Sequence, residues 1–197
     1  MGELADRLAR VTVQVTSPDG NLRARVRGRR FETVELRLGS YRRYRERELE
    51  HQLARTATLL FTGRERAVAQ IIADAGLRRR TDPADARDPA QRRYLDLIRT
   101  MPVVGTGPGE RVRFRSAGMI EWTCRIEDGT LRRLDEAEFA TETVGAAADF
   151  LRRRAHETRL AKDECYGLAI PALTREREAR ARSLARGEPA PYTEDAW

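Results

Sequence analysis

Two stretches of the chain place an arginine at every second position. In NLRARVRG, residues 21–28, Arg23, Arg25 and Arg27 alternate with Leu22, Ala24 and Val26. In ERVRFRSA, residues 110–117, Arg111, Arg113 and Arg115 flank Val112 and Phe114. A strand sends successive side chains to opposite faces, so each stretch predicts one apolar face and one lined by guanidinium groups. Arg37 and Arg125 join them from the neighbouring strands. The candidate contacts are therefore Arg23, Arg25, Arg27 and Arg37, and Arg111, Arg113, Arg115 and Arg125, with Thr12 and Gln14 on the first of these faces. A guanidinium is permanently charged and presents a planar fork of donors that fits phosphate oxygens. The chemistry offered is binding to a nucleic-acid backbone, which positions a protein without reading bases. Two other readings fit the same pattern. Glu35 and Glu121 share these faces and can pair with arginines across strands as a solvated ladder, or the faces can dock a protein. Aromatic platforms for stacking unpaired bases are nearly absent.

Catalysis and metal binding have no comparable candidates. His51 and His156 stand alone, and Cys124 and Cys165 belong to no CxxC pair. Cys124 falls on the apolar beat of a strand and reads as core. GTGPGE, residues 105–110, is glycine-rich, but no lysine follows and the next element is a strand, so it reads as a turn. Ser40 and Ser116 border turns. The expectation is a protein that is not an enzyme, with no cofactor and no metal.

The elements that would hold the arginines follow from periodicity. Residues 3–10 form a short amphipathic helix, and Val11, Val13 and Val15 then alternate with polar residues as a first strand. SPDG supplies a turn, the arginine strand follows, and FETVELRL (31–38) places Val34, Leu36 and Leu38 on one face. A helix is predicted from about Tyr44 to Ala75, with Gly76 as its cap. Residues 77–90, with two Asp-Pro steps and no period, form a charged linker. The order then restarts: a short helix, a poor strand MPVVGTGPG, the second arginine strand, a third strand MIEWTCRI, and a long helix opened by Asp135 and Glu138 at capping-box spacing. Its buried stripe is Phe139, Thr143, Ala147, Phe150 or Leu151, and Ala155. Adding 88 to Arg23, Arg25, Arg27 and Arg37 gives Arg111, Arg113, Arg115 and Arg125, so the two parts read as repeats. The predicted fold is α+β: two helix-β-β-β-helix modules, each a three-stranded antiparallel meander packed on a long helix. The modules span 1–76 and 91–165, and a C-terminal helix and tail cover 166–197.

The chain has 197 residues, with 38 Lys+Arg against 31 Asp+Glu, for a net charge of +7. A basic balance suits an anionic partner. Lys162 is the only lysine, however, and arginine with abundant alanine also marks a high-GC coding bias. No apolar run approaches the roughly 18 residues of a membrane span, and the N-terminus lacks the apolar middle of a secretory signal. The expected location is the cytoplasm.

The run SPDGNLRARVRGRRFETVELRL with its following helix resembles the YbaB/EbfC nucleoid-associated family. So does GMIEWTCRIEDGTLRRLDEAEFATETVGAAADFLRRRA. The resemblance covers about residues 10–75 and 91–163. It implies a strand-turn-strand-turn-strand centre with flanking helices, dimerisation, and sequence-tolerant DNA binding at the nucleoid. It also implies an alternative, because actinobacterial relatives of that family accompany type VII secretion loci: a non-enzymatic adaptor or chaperone-like component of a secretion or regulatory complex. Family members are usually one module long, so two copies imply an intrachain pseudo-dimer, a homodimer, or one copy turned adaptor. The first helix of each copy is shorter than the family's, and Pro102 predicts an edge or irregular strand there.

Overall fold

The computed structural model describes residues 2–168 together with 178, 179 and 182; the rest of the expected C-terminal helix and tail lies outside the described residues. The first copy consists of α1 (Gly2–Arg10), β1 (Thr12–Thr16), β2 (Leu22–Arg27), β3 (Arg30–Leu36) and α2 (Glu46–Asp74). The second consists of α3 (Pro89–Thr100), β4 (Pro102–Thr106), β5 (Val112–Ala117), β6 (Glu121–Ile126), a single turn α4 (Thr130–Arg133) and α5 (Glu136–Tyr166). The fold is α+β, with two similar modules, and the strand orders are β1-β2-β3 and β4-β5-β6, all antiparallel.

Local signals account for the element ends. Asp88 caps α3 by accepting from Gln91 N, with Pro89 at the first helical position. Asp135 and Glu138 form the expected capping box, each carboxylate accepting the other's backbone N–H at 2.8 Å. Gly28 and Gly118 close the β2–β3 and β5–β6 hairpins at positive φ. Two expectations about burial fail. β3 stops at Leu36, because after the last ladder bond, Arg37 N to Asn21 O, Ser40 N bonds Arg37 O and closes a turn, leaving Leu38 95% exposed. Ala155, expected in the buried stripe of α5, is exposed.

The repeat is real but its offset is 90 residues, not 88. Ser17 N bonds Leu22 O as Gly107 N bonds Val112 O; Gly28 N bonds Val11 O as Gly118 N bonds Met101 O; and Arg37 N bonds Asn21 O as Glu127 N bonds Arg111 O. The first residues of α2 and α5, Glu46 and Glu136, stand at the same spacing.

The copies interlock. Helix α2 packs on β1 and β2 of its own copy and also on β6, while α5 packs on β4 and β5 and also on β3. One apolar core results, containing Leu22, Val34, Leu49 and Leu60 from the first copy and Val112, Phe114, Phe139 and Phe150 from the second. The Phe61 ring stacks on Trp122 at 4.6 Å between centroids, and Trp122 meets Phe150 at the same distance. Polar ties cross the same boundary. Tyr41 Oη donates to Leu134 O (3.0 Å), Ile126 N donates to Glu50 (2.8 Å), and Gly129 N donates to Glu46 (3.1 Å).

Candidate nucleic-acid interface

With each inner sheet face against helices, the arginines occupy the outer faces. On β2, Arg23, Arg25 and Arg27 stand beside Thr16, Gln14 and Thr12 of β1. On the other side, Arg23 faces Glu35, Arg25 faces Thr33, and Arg27 faces Arg30. The register skips Glu32, a bulge residue. The bulge brings the Glu32 carboxylate within 2.8 Å of Arg25 Nε, close enough for an ion pair but without the alignment of a hydrogen bond. Arg37 lies just past β3 and is exposed.

In the second copy, Arg113 faces Arg125 directly, and Arg115 faces Thr123 and Val104. Arg125 leans 3.4 Å from Glu50, and Arg113 comes only within 3.9 Å of Glu110. Arg111 precedes β5 and is half-buried. Among the described residues, Arg23, Arg27, Arg30, Arg37, Arg111 and Arg115 make no ion pair.

The 90-residue offset redraws the two clusters. Arg23 with Arg113 and Arg25 with Arg115 are equivalent pairs. Arg27 corresponds to Ala117, Arg37 to Glu127, Arg111 to Asn21, and Arg125 to Glu35, so the copies do not carry the same four arginines. Arg30 was missed by sequence reasoning because the bulge that turns it outward leaves no mark in an alternation pattern. Arg42 and Arg132 are also exposed and equivalent. Their signal was present in the repeated spacing of Arg42, Arg43, Glu46 and Glu48 against Arg132, Arg133, Glu136 and Glu138.

Other arginines are structural. Arg64 Nε donates to Gly28 O (2.8 Å) and Arg154, its equivalent, to Ile98 O (2.9 Å). Burial lowers the pKa of both guanidinium groups. The glycine-rich turn already holds an anion: Gly109 N and Arg111 N both donate to the buried carboxylate of Glu142, each at 2.8 Å. These two amides are occupied from within and are not open to a phosphate. Cys124 is buried in the core, and burial pushes its thiol pKa well up, disfavouring the thiolate.

Among the described residues no group of three His, Cys, Asp or Glu is placed to hold a metal ion, and no helix is long and apolar enough to cross a membrane. No protein-family model, no curated protein and no solved structure matches the chain.

Proposed function

We propose that the chain binds the phosphate backbone of DNA through the outer faces of its sheets, tolerant of sequence, as a YbaB/EbfC-like nucleoid-associated protein of the cytoplasm would. The observation that carries this reading is the pair of like charges set directly opposite each other, Arg27 across from Arg30 and Arg113 across from Arg125. Like charges in register are unfavourable, by roughly 0.7 kcal/mol at about 6 Å in water. A phosphate seated between two such guanidinium groups turns that repulsion into two charge-assisted contacts. Neither the Arg25–Glu32 pair nor the Arg125–Glu50 pair removes the excess of cations.

The test is fluorescence anisotropy with unrelated duplexes over a series of salt concentrations. About six neutralised phosphates give a slope of log affinity on log salt near −5. Replacing Arg27, Arg30, Arg113 and Arg125 by Ser flattens that slope by about 3 to 4 on every duplex, and leaves the melting temperature unchanged or raised. Absence of binding at low salt ends the proposal. A loss confined to one duplex replaces backbone binding with base readout.

The adaptor reading has its own support in apolar side chains left in solvent, Leu38 and Ile120 in the β3–α2 and β5–β6 connections. It takes precedence if the parent protein binds no duplex at low salt; a four-arginine variant that binds DNA as the parent does moves DNA binding off these sheet faces.

A further inference from the structure

The four sheet edges are not treated alike. An edge strand exposes backbone donors and acceptors to any strand that arrives, and proteins blunt such edges with proline, charge, bulges or covering groups. Edge β4 begins with Pro102, which has no N–H, and its Thr106 N is taken by the buried Asp149 carboxylate at 3.0 Å. Edge β6 carries Glu121 and Arg125, and its Ile126 N is taken by Glu50. Edge β3 is broken by the Glu32 bulge and carries Arg30 and Glu35. Edge β1, Thr-Val-Gln-Val-Thr, has none of these devices. At the offset of 90 the counterpart of Asp149 is Leu59, which cannot accept a hydrogen bond.

The pairing pattern fixes what β1 presents. Ser17 N bonds Leu22 O and Gly28 N bonds Val11 O, so Val11, Val13 and Val15 aim their backbone groups at β2. The N–H and C=O groups of Thr12, Gln14 and Thr16 therefore point outward, and among the described residues none of them is bonded. These three side chains are exposed, and Val13 and Val15 are only half-buried, whereas their neighbours Leu22, Ala24 and Val26 on β2 are fully buried.

The strand is also a palindrome. A two-fold axis through Gln14 pairs Thr12 with Thr16 of another copy, Gln14 with Gln14, and Val13 with Val15, so the edge is complementary to itself. That self-complementarity is the requirement of a closed, isologous interface. We propose that β1 pairs antiparallel with β1 of a second copy of this chain, joining two three-stranded sheets into one of six strands. Hydrogen-bonded pairs fall at Thr12, Gln14 and Thr16, and the valines meet in the narrower pairs between them. Charge does not oppose it. The arginine strands β2 of the two copies stand three strand spacings apart, about 14 Å, beyond the screening length of about 8 Å at physiological salt. Two uncharged strands, the β1 of each copy, separate them.

The test uses nuclease-treated full-length protein in sedimentation velocity over the micromolar range, with three variants. The expected result is a dimer of the 22.5-kDa chain whose dissociation constant changes little with salt, unlike the DNA affinity proposed above. Gln14→Lys sets two ammonium groups against each other on the axis and weakens the dimer at least tenfold, with the melting temperature kept. In a Cys165→Ser background, Gln14→Cys forms an intermolecular disulfide on mild oxidation, since hydrogen-bonded partners lie about 5.5 Å apart. Thr12→Cys in the same background does not, because its partner is Thr16. A chain that stays monomeric, a dimer indifferent to Gln14→Lys, or equal crosslinking of both cysteine variants overturns the proposal. A DNA-binding monomer sinks this inference alone, and a dimer without DNA affinity sinks only the other.

Discussion

At Glu142 a buried carboxylate does the work that a second strand or a bound ion does elsewhere, satisfying two amides of a glycine-rich turn. A Cβ on Gly107 would lie 2.4 Å from Glu142 Oε1, which explains a glycine there. Glu142→Ala removes two charge-assisted bonds and leaves both amides without a partner, so a loss of about 3 kcal/mol is expected from urea unfolding. Its equivalent in the first copy is Gln52, whose Oε1 is buried with no partner. Gln52→Met is therefore expected to be neutral or stabilising in the same assay, because it removes an unmet acceptor. Tyr41 supplies a pH-dependent case. Burial first, and then the nearby Asp135 and Glu138 charges, raise its pKa from 10.0 to about 12. The folded state thus holds the phenolic proton more tightly than the unfolded chain does. The stability linked to it is complete below pH 10 and is lost as pH rises toward 12. Tyr41→Phe keeps the ring against Phe139 and is expected to reduce the alkaline fall in the urea midpoint.

Among the elements, the two edge strands beneath the long helices differ through one residue. Gly105 lets α5 close on β4 so tightly that a Cβ there would lie 2.3 Å from Phe150 N and 2.4 Å from Ala146 O, where the first copy has Val15. Gly105→Ala is expected to destabilise by about 3 kcal/mol or more, since backbone atoms of a 31-residue helix must give way. Gly63, within α2, makes the contrast: its Cβ would touch only Val13 Cγ1 at 3.0 Å, and the gain in helix propensity of about 1 kcal/mol offsets that contact. Thermal melting of the two variants separates these outcomes. Element type and order were legible because alternation and helical stripes leave strong periods, as in Leu22, Ala24 and Val26 or in Leu49, Leu53 and Leu60. The repeat offset was misread for a physical reason: alternation has a period of two, so a slide of two residues preserves every inside-outside assignment. Position-specific markers carry the true offset, namely Gly28 and Gly118 at positive φ, Gly39 and Gly129 likewise, and Glu46 and Glu136 at the helix starts. The arginines' outward placement was legible from parity. Their counter-ions were not, since Glu32 arrives by a bulge and Glu50 from a helix of the other copy.

For the whole molecule, the repeat matters because each long helix covers a strand of the opposite copy. The apolar side of α2 is completed by Trp122 and β6, and that of α5 by β3, so either half alone would expose part of the shared core. The covalent link between halves runs through residues 77–88, whose side chains are mostly exposed and which contribute little to the core. Its main effect is to keep the second half at high local concentration, an entropic contribution that grows only slowly with length. It follows that the linker can be cut without losing the fold. In a Trp197→Phe background with a protease site inserted after Thr81, the two fragments are expected to remain together on size exclusion at micromolar concentration, with Trp122 emission unchanged. Before cutting, unfolding in urea should be one transition, with Trp122 emission and far-ultraviolet ellipticity coincident. After cutting, the midpoint should fall and become dependent on protein concentration, because unfolding then releases two chains where it had released one. Fragments that separate while each keeps its ellipticity would mean that the crossed packing of α2 and α5 is dispensable and that each copy is stable by itself.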